Sequence, residues 1–223
     1  MRKVAIYDLD GTVLRRATFT PFLFFAALRH EPWSVGLAPA WFAAMALYKL
    51  GLFGRRTLKQ FGLHLFLGRR MTLARLEAIS EAFADHVVPQ WVAPGAARAM
   101  AADQAEGCSL VLATAAMEFY AGGIAERLGF DHVIASRSRF LSADPCACVM
   151  EGENCYGAEK PARVKALLEA LGWNRADCTI RFYTDSVSDA PLLDWADRPV
   201  LVNAGRRGAR IANARGWEQA RFD

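Results

Sequence analysis

The chain has 223 residues, 53% of them hydrophobic, which suits one large domain or a core domain with a smaller insertion. It has no low-complexity tract and no internal repeat, and its five irregularly spaced cysteines exclude a disulfide framework. The formal net charge is +4 but is unevenly spread. Ten Lys/Arg and one acid, Glu31, lie between Thr12 and Leu76, about +9, and seventeen basic and twenty-two acidic residues lie elsewhere, about −5. Such asymmetry hints at a binding surface.

In chain order, residues 3–8, "KVAIYD", predict a short strand. Its apolar run is continuous, as in a parallel sheet covered on both faces. Two aspartates, Asp8 and Asp10, follow at once in "DLDGT". Carboxylates at the mouth of a buried strand are costly to desolvate, so a metal ion is the natural compensation. Residues 15–90 then show no clear strand. "TPFLFFAALRH" reads as helical, and Trp33–Phe53 is almost wholly apolar, about the length of a membrane span but interrupted by Pro39. "RRTLKQFGLHLFLG" has an amphipathic look, and "TLARLEAISEAFADHVVPQW" an ordinary soluble-helix pattern. Further strands are predicted at 108–116, 132–136, 179–186 and 199–204. Helices are predicted at 94–105, 117–128, 160–171 and 189–195. Alternation of this kind predicts an α/β, Rossmann-like, doubly wound and mostly parallel sheet, with a helical insertion after the first strand.

Sites in such sheets form beyond the carboxyl ends of the strands. That rule gathers Asp8, Asp10, Thr114, Asp185, Asp189 and Lys160, the last at the start of a helix in "CYGAEKPARV". "DLDGT", "VLATA", the lysine of "CYGAEK" and "YTDSVSD", in that order, resemble the four motifs of the haloacid dehalogenase-like (HAD) phosphohydrolases. "LGF", "NCYGAEK" and "TDSVSDAPLL" look most like the phosphoserine-phosphatase-like branch. The resemblance implies a catalytic core of residues 1–14 and 91–223, with residues 15–90 as a helical cap. It implies that Asp8 is a nucleophile forming an aspartyl-phosphate and that Asp10 is the general acid and base. Asp8, the Asp10 backbone carbonyl and Asp185 would hold Mg²⁺. Thr114 and Lys160 would bind phosphate oxygens, Asp189 would support Lys160 or a metal-bound water, and Gly11 would allow close backbone approach.

The sequence departs from amino-acid phosphatases after the first motif. "VLRRATFTPFLFF" carries two arginines and no acid to meet a substrate amine. The uncharged run 33–48 is followed by Lys49, Arg55, Arg56, Lys59, Arg69 and Arg70, a composition suited to an anionic membrane interface. It is similar to the caps of bacterial HAD phosphatidylglycerophosphatases. The expectation is therefore a Mg²⁺-dependent phosphatase for a lipid phosphate such as phosphatidylglycerophosphate. The alternatives are a soluble small-metabolite phosphatase and a non-catalytic membrane-binding protein on the same scaffold. A packed cap core is the plainer account of the apolar run. Nucleic acid is not expected as a partner. Cys146, Cys148 and Cys155 lack the paired spacing of a zinc site, and His64 and His86 read as structural. "MRKVAIYDLDGT" reaches two acids before any long apolar run, so no secretory leader is read. The expected place is the cytoplasm, peripheral at the inner face of the membrane.

Overall fold

Strand β1 (Arg2–Tyr7) is the axis of the molecule in the computed structural model, which describes residues 1–68, 70–140 and 148–223. Arg69 and Cys146, named above, lie outside the described residues. After β1 come α1 (Phe19–His30), a 3₁₀ segment (Pro32–Leu37), α2 (Ala38–Lys49), α3 (Arg55–Leu67) and α4 (Leu73–Trp91). The chain continues through α5 (Pro94–Ala105), β2 (Ser109–Met117), α6 (Glu118–Arg127) and β3 (His132–Ser136). Two short strands, β4 (Ser138–Phe140) and β5 (Cys148–Met150), pair antiparallel. Then follow α7 (Glu159–Ala170), β6 (Cys178–Thr184), α8 (Ala190–Leu193), β7 (Arg198–Val202), α9 (Arg206–Arg215) and β8 (Glu218–Ala220).

Six strands form one parallel sheet in the order β3-β2-β1-β6-β7-β8. The order runs outward from β1 in both directions, so the topological switch point lies at β1, where ligands of open α/β sheets bind. Side chains alternate between the two faces of β1. Val4 and Ile6 join a core with Val111, Ile180 and Phe182, while Ala5 and Tyr7 join a core with Leu110 and Leu112. The second core continues without a break into the helical insertion through Phe22, Trp41, Phe66 and Phe83. Phe22 stacks on Tyr120 of α6 at 4.6 Å and meets Phe83 edge-on at 5.2 Å, so the insertion is tied to one face of the sheet layer by aromatic packing. Gly62 permits the close approach of α3: a Cβ there would overlap Leu23 and Trp41.

The apolar stretch from Trp33 to Phe53 does not form a continuous helix. Pro32 starts a 3₁₀ turn, and α2 runs for only 12 residues with Pro39 in its first turn. Among the described residues no helix is long and apolar enough to cross a membrane, which overturns the span-length reading of this stretch. Nor is α2 an ordinary core helix, since its buried residues are Trp41 and Ala44, while Phe42 is 56% and Leu47 43% exposed.

Candidate active site

Each sequence motif ends at the same edge of the sheet. β1 delivers Asp8, whose N–H donates to the Tyr183 carbonyl of neighbouring β6 at 2.9 Å. The chain then turns sharply at Gly11, which has φ +80°. A Cβ at Gly11 would overlap the Asp185 carboxylate, so this position needs glycine on two counts. Thr12, fully buried, accepts from the Asp185 N–H at 2.9 Å and so ties the first motif to the end of β6. Asp10 accepts the Thr18 N–H at 2.9 Å, which anchors its carboxylate to the entrance of the helical insertion.

Lys160 enters from the first turn of α7. Its Nζ donates to Asp8 Oδ1 at 2.8 Å and to Asp189 Oδ2 at 2.6 Å. Thr184 Oγ1 also donates to Asp189 Oδ2, at 2.8 Å. An ammonium has three donors, so one remains for another acceptor. Asp189 Oδ1 is buried and has no partner among the described residues, an orphan that marks a place for a further donor. Thr114 is buried near the end of β2, and its Oγ1 accepts from Ala116 N–H at 3.0 Å, which leaves the hydroxyl proton free.

Asp8, Asp10, Thr114, Lys160, Asp185 and Asp189 line one cavity of about 200 Å³, completed by Arg55, Tyr156, Ala115 and Ser186. A larger concavity of about 450 Å³ lies between α6, β3 and α7, but it lacks convergent acids, and polar convergence selects the smaller one. Burial dominates the electrostatics. It pushes the Asp8 carboxyl up to about 7 against the opposing pull of Lys160, and Asp10 up to about 6 against the Thr18 hydrogen bonds. Burial also raises Asp185. For Lys160 burial disfavours the charge, but the Asp8 and Asp189 carboxylates outweigh it and hold the ammonium above the ordinary lysine range. Three crowded carboxylates that resist ionisation, all with hard oxygen donors, fit a divalent cation such as Mg²⁺. Elsewhere Asp103, Glu106 and Cys108 also gather, but Asp103 is already held by the Tyr7 hydroxyl and by Arg181.

The model of the haloacid dehalogenase-like hydrolase family matches residues 5–194. The chain belongs to that family. Its sequence is 28% identical over 195 residues to protein CicA of Caulobacter vibrioides, covering 86% of this chain and 82% of that one. It is 30% identical over 144 residues to a probable phosphatase of Mycobacterium tuberculosis, covering 65% and 48%. A Bordetella pertussis Tohama I protein of unknown function superposes with a TM-score of 0.87 at 26% identity over the whole of both chains. A phosphoserine phosphatase, solved as an analogue of its phospho-aspartyl intermediate, shares the fold at a TM-score of 0.65 and 15% identity, covering 100% of this chain and 94% of that one. The HAD fold thus accounts for the parallel sheet and the insertion together.

Of the site residues expected from the sequence, Asp8, Asp10, Thr114, Lys160, Asp185 and Asp189 line the cavity, while Gly11 lies behind it against the Asp185 carboxylate. Thr12, Tyr156 and, from the inserted helix, Arg55 and Lys59 also belong to the site or its walls, and sequence pattern alone gives none of them a role there. Arg55 lies over the Tyr156 ring at 3.9 Å and lines the cavity. Lys59 was grouped with the surface basic residues, yet it is only 6% exposed. Positions 55 and 59 share one helix face, but which way that face turns is set only by packing.

Proposed function

We propose that this hydrolase is a Mg²⁺-dependent phosphomonoesterase that works through an aspartyl-phosphate on Asp8. In this reading residues 1–14 and 91–223 are the catalytic core and residues 15–90 the cap. The observation that carries it is the convergence of Asp8, Asp10, Asp185, Thr114 and Lys160 on one cavity. Asp8 attacks phosphorus, the ester P–O bond breaks, and Asp10 gives its proton to the leaving oxygen. Asp10 then takes a proton from the water that attacks phosphorus, and Asp8 is released with inorganic phosphate. A carboxyl pushed up to about 6 suits both halves of that exchange. Lys160 and the Thr114 hydroxyl bind phosphate oxygens as charge develops, and Asp189 keeps Lys160 in place. Asp8, the Asp10 backbone carbonyl and Asp185 would hold Mg²⁺, which when bound keeps Asp8 ionised and screens it from the phosphate.

The substrate class proposed is a lipid phosphate, phosphatidylglycerophosphate being one such molecule, met at an anionic membrane surface on the cytoplasmic side. A cavity of about 200 Å³ is smaller than drug-sized sites, so it suits the phosphoryl group and leaves the bulk of the substrate outside. Of ten large hydrophobic side chains exposed among the described residues, seven lie between residues 28 and 61, including Trp33, Phe42, Leu50 and Leu52. That concentration is what interaction surfaces look like, and it is not expected of a plain cap core. Arg55 connects this surface to the cavity: it follows Leu50 and Leu52 in the chain, and its Nε donates to the Tyr48 hydroxyl at 3.4 Å. The test is hydrolysis of a panel of lipid and water-soluble phosphomonoesters with Mg²⁺, with and without anionic vesicles. Activity on lipid phosphates that rises with anionic vesicles is expected. Equal activity on water-soluble esters, indifferent to vesicles, would replace the lipid reading with that of a small-metabolite phosphatase.

A further inference from the structure

Lys59 is a lysine where a lysine is expensive. It sits on α3, in the helical insertion, and its ammonium is buried. Long cationic side chains normally carry the charge out to water. This one turns inward and donates to the Ala115 carbonyl and to Asn154 Oδ1, the latter at 2.9 Å, with the Phe19 ring 5.5 Å away. None of the described carboxylates pairs with it. Burial lowers it to about 8, although the Asp10 charge pulls the other way. An apolar residue of similar volume would fill such a position at no electrostatic cost. A buried ammonium therefore points to what its donors hold.

What they hold is the end of β2, next to Thr114. The peptide linking Ala115 and Ala116 is gripped at both ends. Its carbonyl accepts from Lys59 and from Ser136 Oγ, the latter at 2.8 Å, and its N–H donates to Thr114 Oγ1. That grip uses the Thr114 hydroxyl as an acceptor and leaves its proton for another partner, in a residue that lines the cavity. Asn154, the other acceptor, lies six residues before Lys160, and Ser136 Oγ also accepts the Cys155 N–H at 3.2 Å. One ammonium from the insertion thus braces the last residues of β2, which carry Thr114, and the approach to α7, which carries Lys160. Its neighbour Gln60 makes a different contact. Gln60 Nε2 donates to the Cys148 carbonyl at 3.1 Å, and Gln60 Oε1 accepts from Met150 N–H at 2.8 Å. Gln60 seats α3 on β5 and makes no hydrogen bond to the end of β2.

We propose that Lys59 is a positioning residue which, from the insertion, sets the Ala115–Ala116 peptide and so aims the Thr114 hydroxyl at phosphate. The phosphate site is then complete only when the insertion is seated. The inference rests on the phosphatase reading above.

The test compares Lys59→Met, Lys59→Gln and Gln60→Ala with wild type in aryl phosphate turnover, in binding of inorganic phosphate by calorimetry, and in thermal unfolding. Misplacement of a positioning contact by about 1 Å costs on the order of 10²-fold in rate. Lys59→Met should lower kcat by roughly that factor and weaken phosphate binding. Lys59→Gln, which keeps a donor, should recover part of both and covers the case in which the methionine variant does not fold. Gln60→Ala should lose thermal stability but keep kcat and phosphate affinity. If both Lys59 variants lose only what Gln60→Ala loses, Lys59 is a seating contact and the inference is overturned. A wild-type protein that neither hydrolyses aryl phosphate nor binds inorganic phosphate would sink the phosphatase reading itself, and this inference with it.

Discussion

The strand edge and the helical insertion depart from the usual division between core and surface in opposite ways. At the strand edge, polar groups are buried and paired: Asp8, Thr12, Thr114, Lys160, Thr184 and Asp189 are all buried and hydrogen-bonded. In the insertion, apolar groups are exposed: Leu50 is 75%, Trp33 68% and Leu52 68% exposed. Both arrangements run against the ordinary partition of residues between surface and core. The lesson is that each region is organised around something the chain alone does not supply, an ionic group at the strand edge and an apolar surface at the insertion. Lys59 joins them, a charged residue of the insertion buried against the sheet edge.

The sharpest way to break this contrast is at the nucleophile. Asp8→Asn should lower aryl phosphate turnover by more than about 10³-fold, because an amide is not a competent nucleophile. Steady-state hydrolysis within tenfold of wild type would remove Asp8 from that role. Asp10→Asn should cost about 10²–10⁴-fold, more for alkyl than for nitrophenyl phosphates, since only poor leaving groups need the proton. An equal loss for both ester classes would end the general-acid assignment.

Lys160→Met tests the buried charges by stability. It strands Asp8 and Asp189 without their cation, and breaking a buried pair costs about 3–5 kcal/mol. Denaturant unfolding without Mg²⁺ measures it, and a loss below about 1 kcal/mol, the range of exposed pairs, would show that the pairing is not maintained in solution.

Metal addition sharpens the same point through pH. Asp8 and Asp10 have folded values of about 7 and about 6, above the ordinary carboxylate value, so the native state holds more protons than the unfolded state between about pH 4 and 7. Without metal, stability should therefore fall as pH rises through that window. Saturating Mg²⁺ should raise the Tm more at pH 7.5 than at pH 5, because the Asp8 carboxylate it needs is ionised mainly at the higher pH. Equal shifts at both values would contradict the assigned ligands.

The smallest expected effect belongs to the exposed apolar surface. Leu50→Ser with Leu52→Ser removes two exposed side chains, each worth about 1.5 kcal/mol when buried. Partitioning onto anionic vesicles should fall by roughly 150-fold if both insert, while stability stays within about 0.5 kcal/mol of wild type. Co-sedimentation reads the first and thermal unfolding the second. Wild-type protein that ignores anionic vesicles would return these leucines to the status of an ordinary surface.

Local sequence pattern determined the core of this protein. Short continuous apolar runs bounded by turn residues suit strands covered on both faces, and acids placed just after such strands lie at the carboxyl edge. That logic located β1, β2, β3, β6 and β7 and brought Asp8, Thr114 and Asp185 to one edge. It could not locate β4, β5 or β8, each three residues long, because strands that short carry no period and exist only through their partners. The apolar run from Trp33 to Phe53 was legible as apolar but not as a break at Pro32 and Pro39, nor as a surface left uncovered. The fate of Lys59 was also settled in three dimensions. Composition placed it among solvated cations, and only the packing of α3 against the 148–156 segment turned its ammonium inward. Burial of a charge depends on acceptors that lie far away in sequence, here Ala115 and Asn154, and no local pattern encodes where those will be.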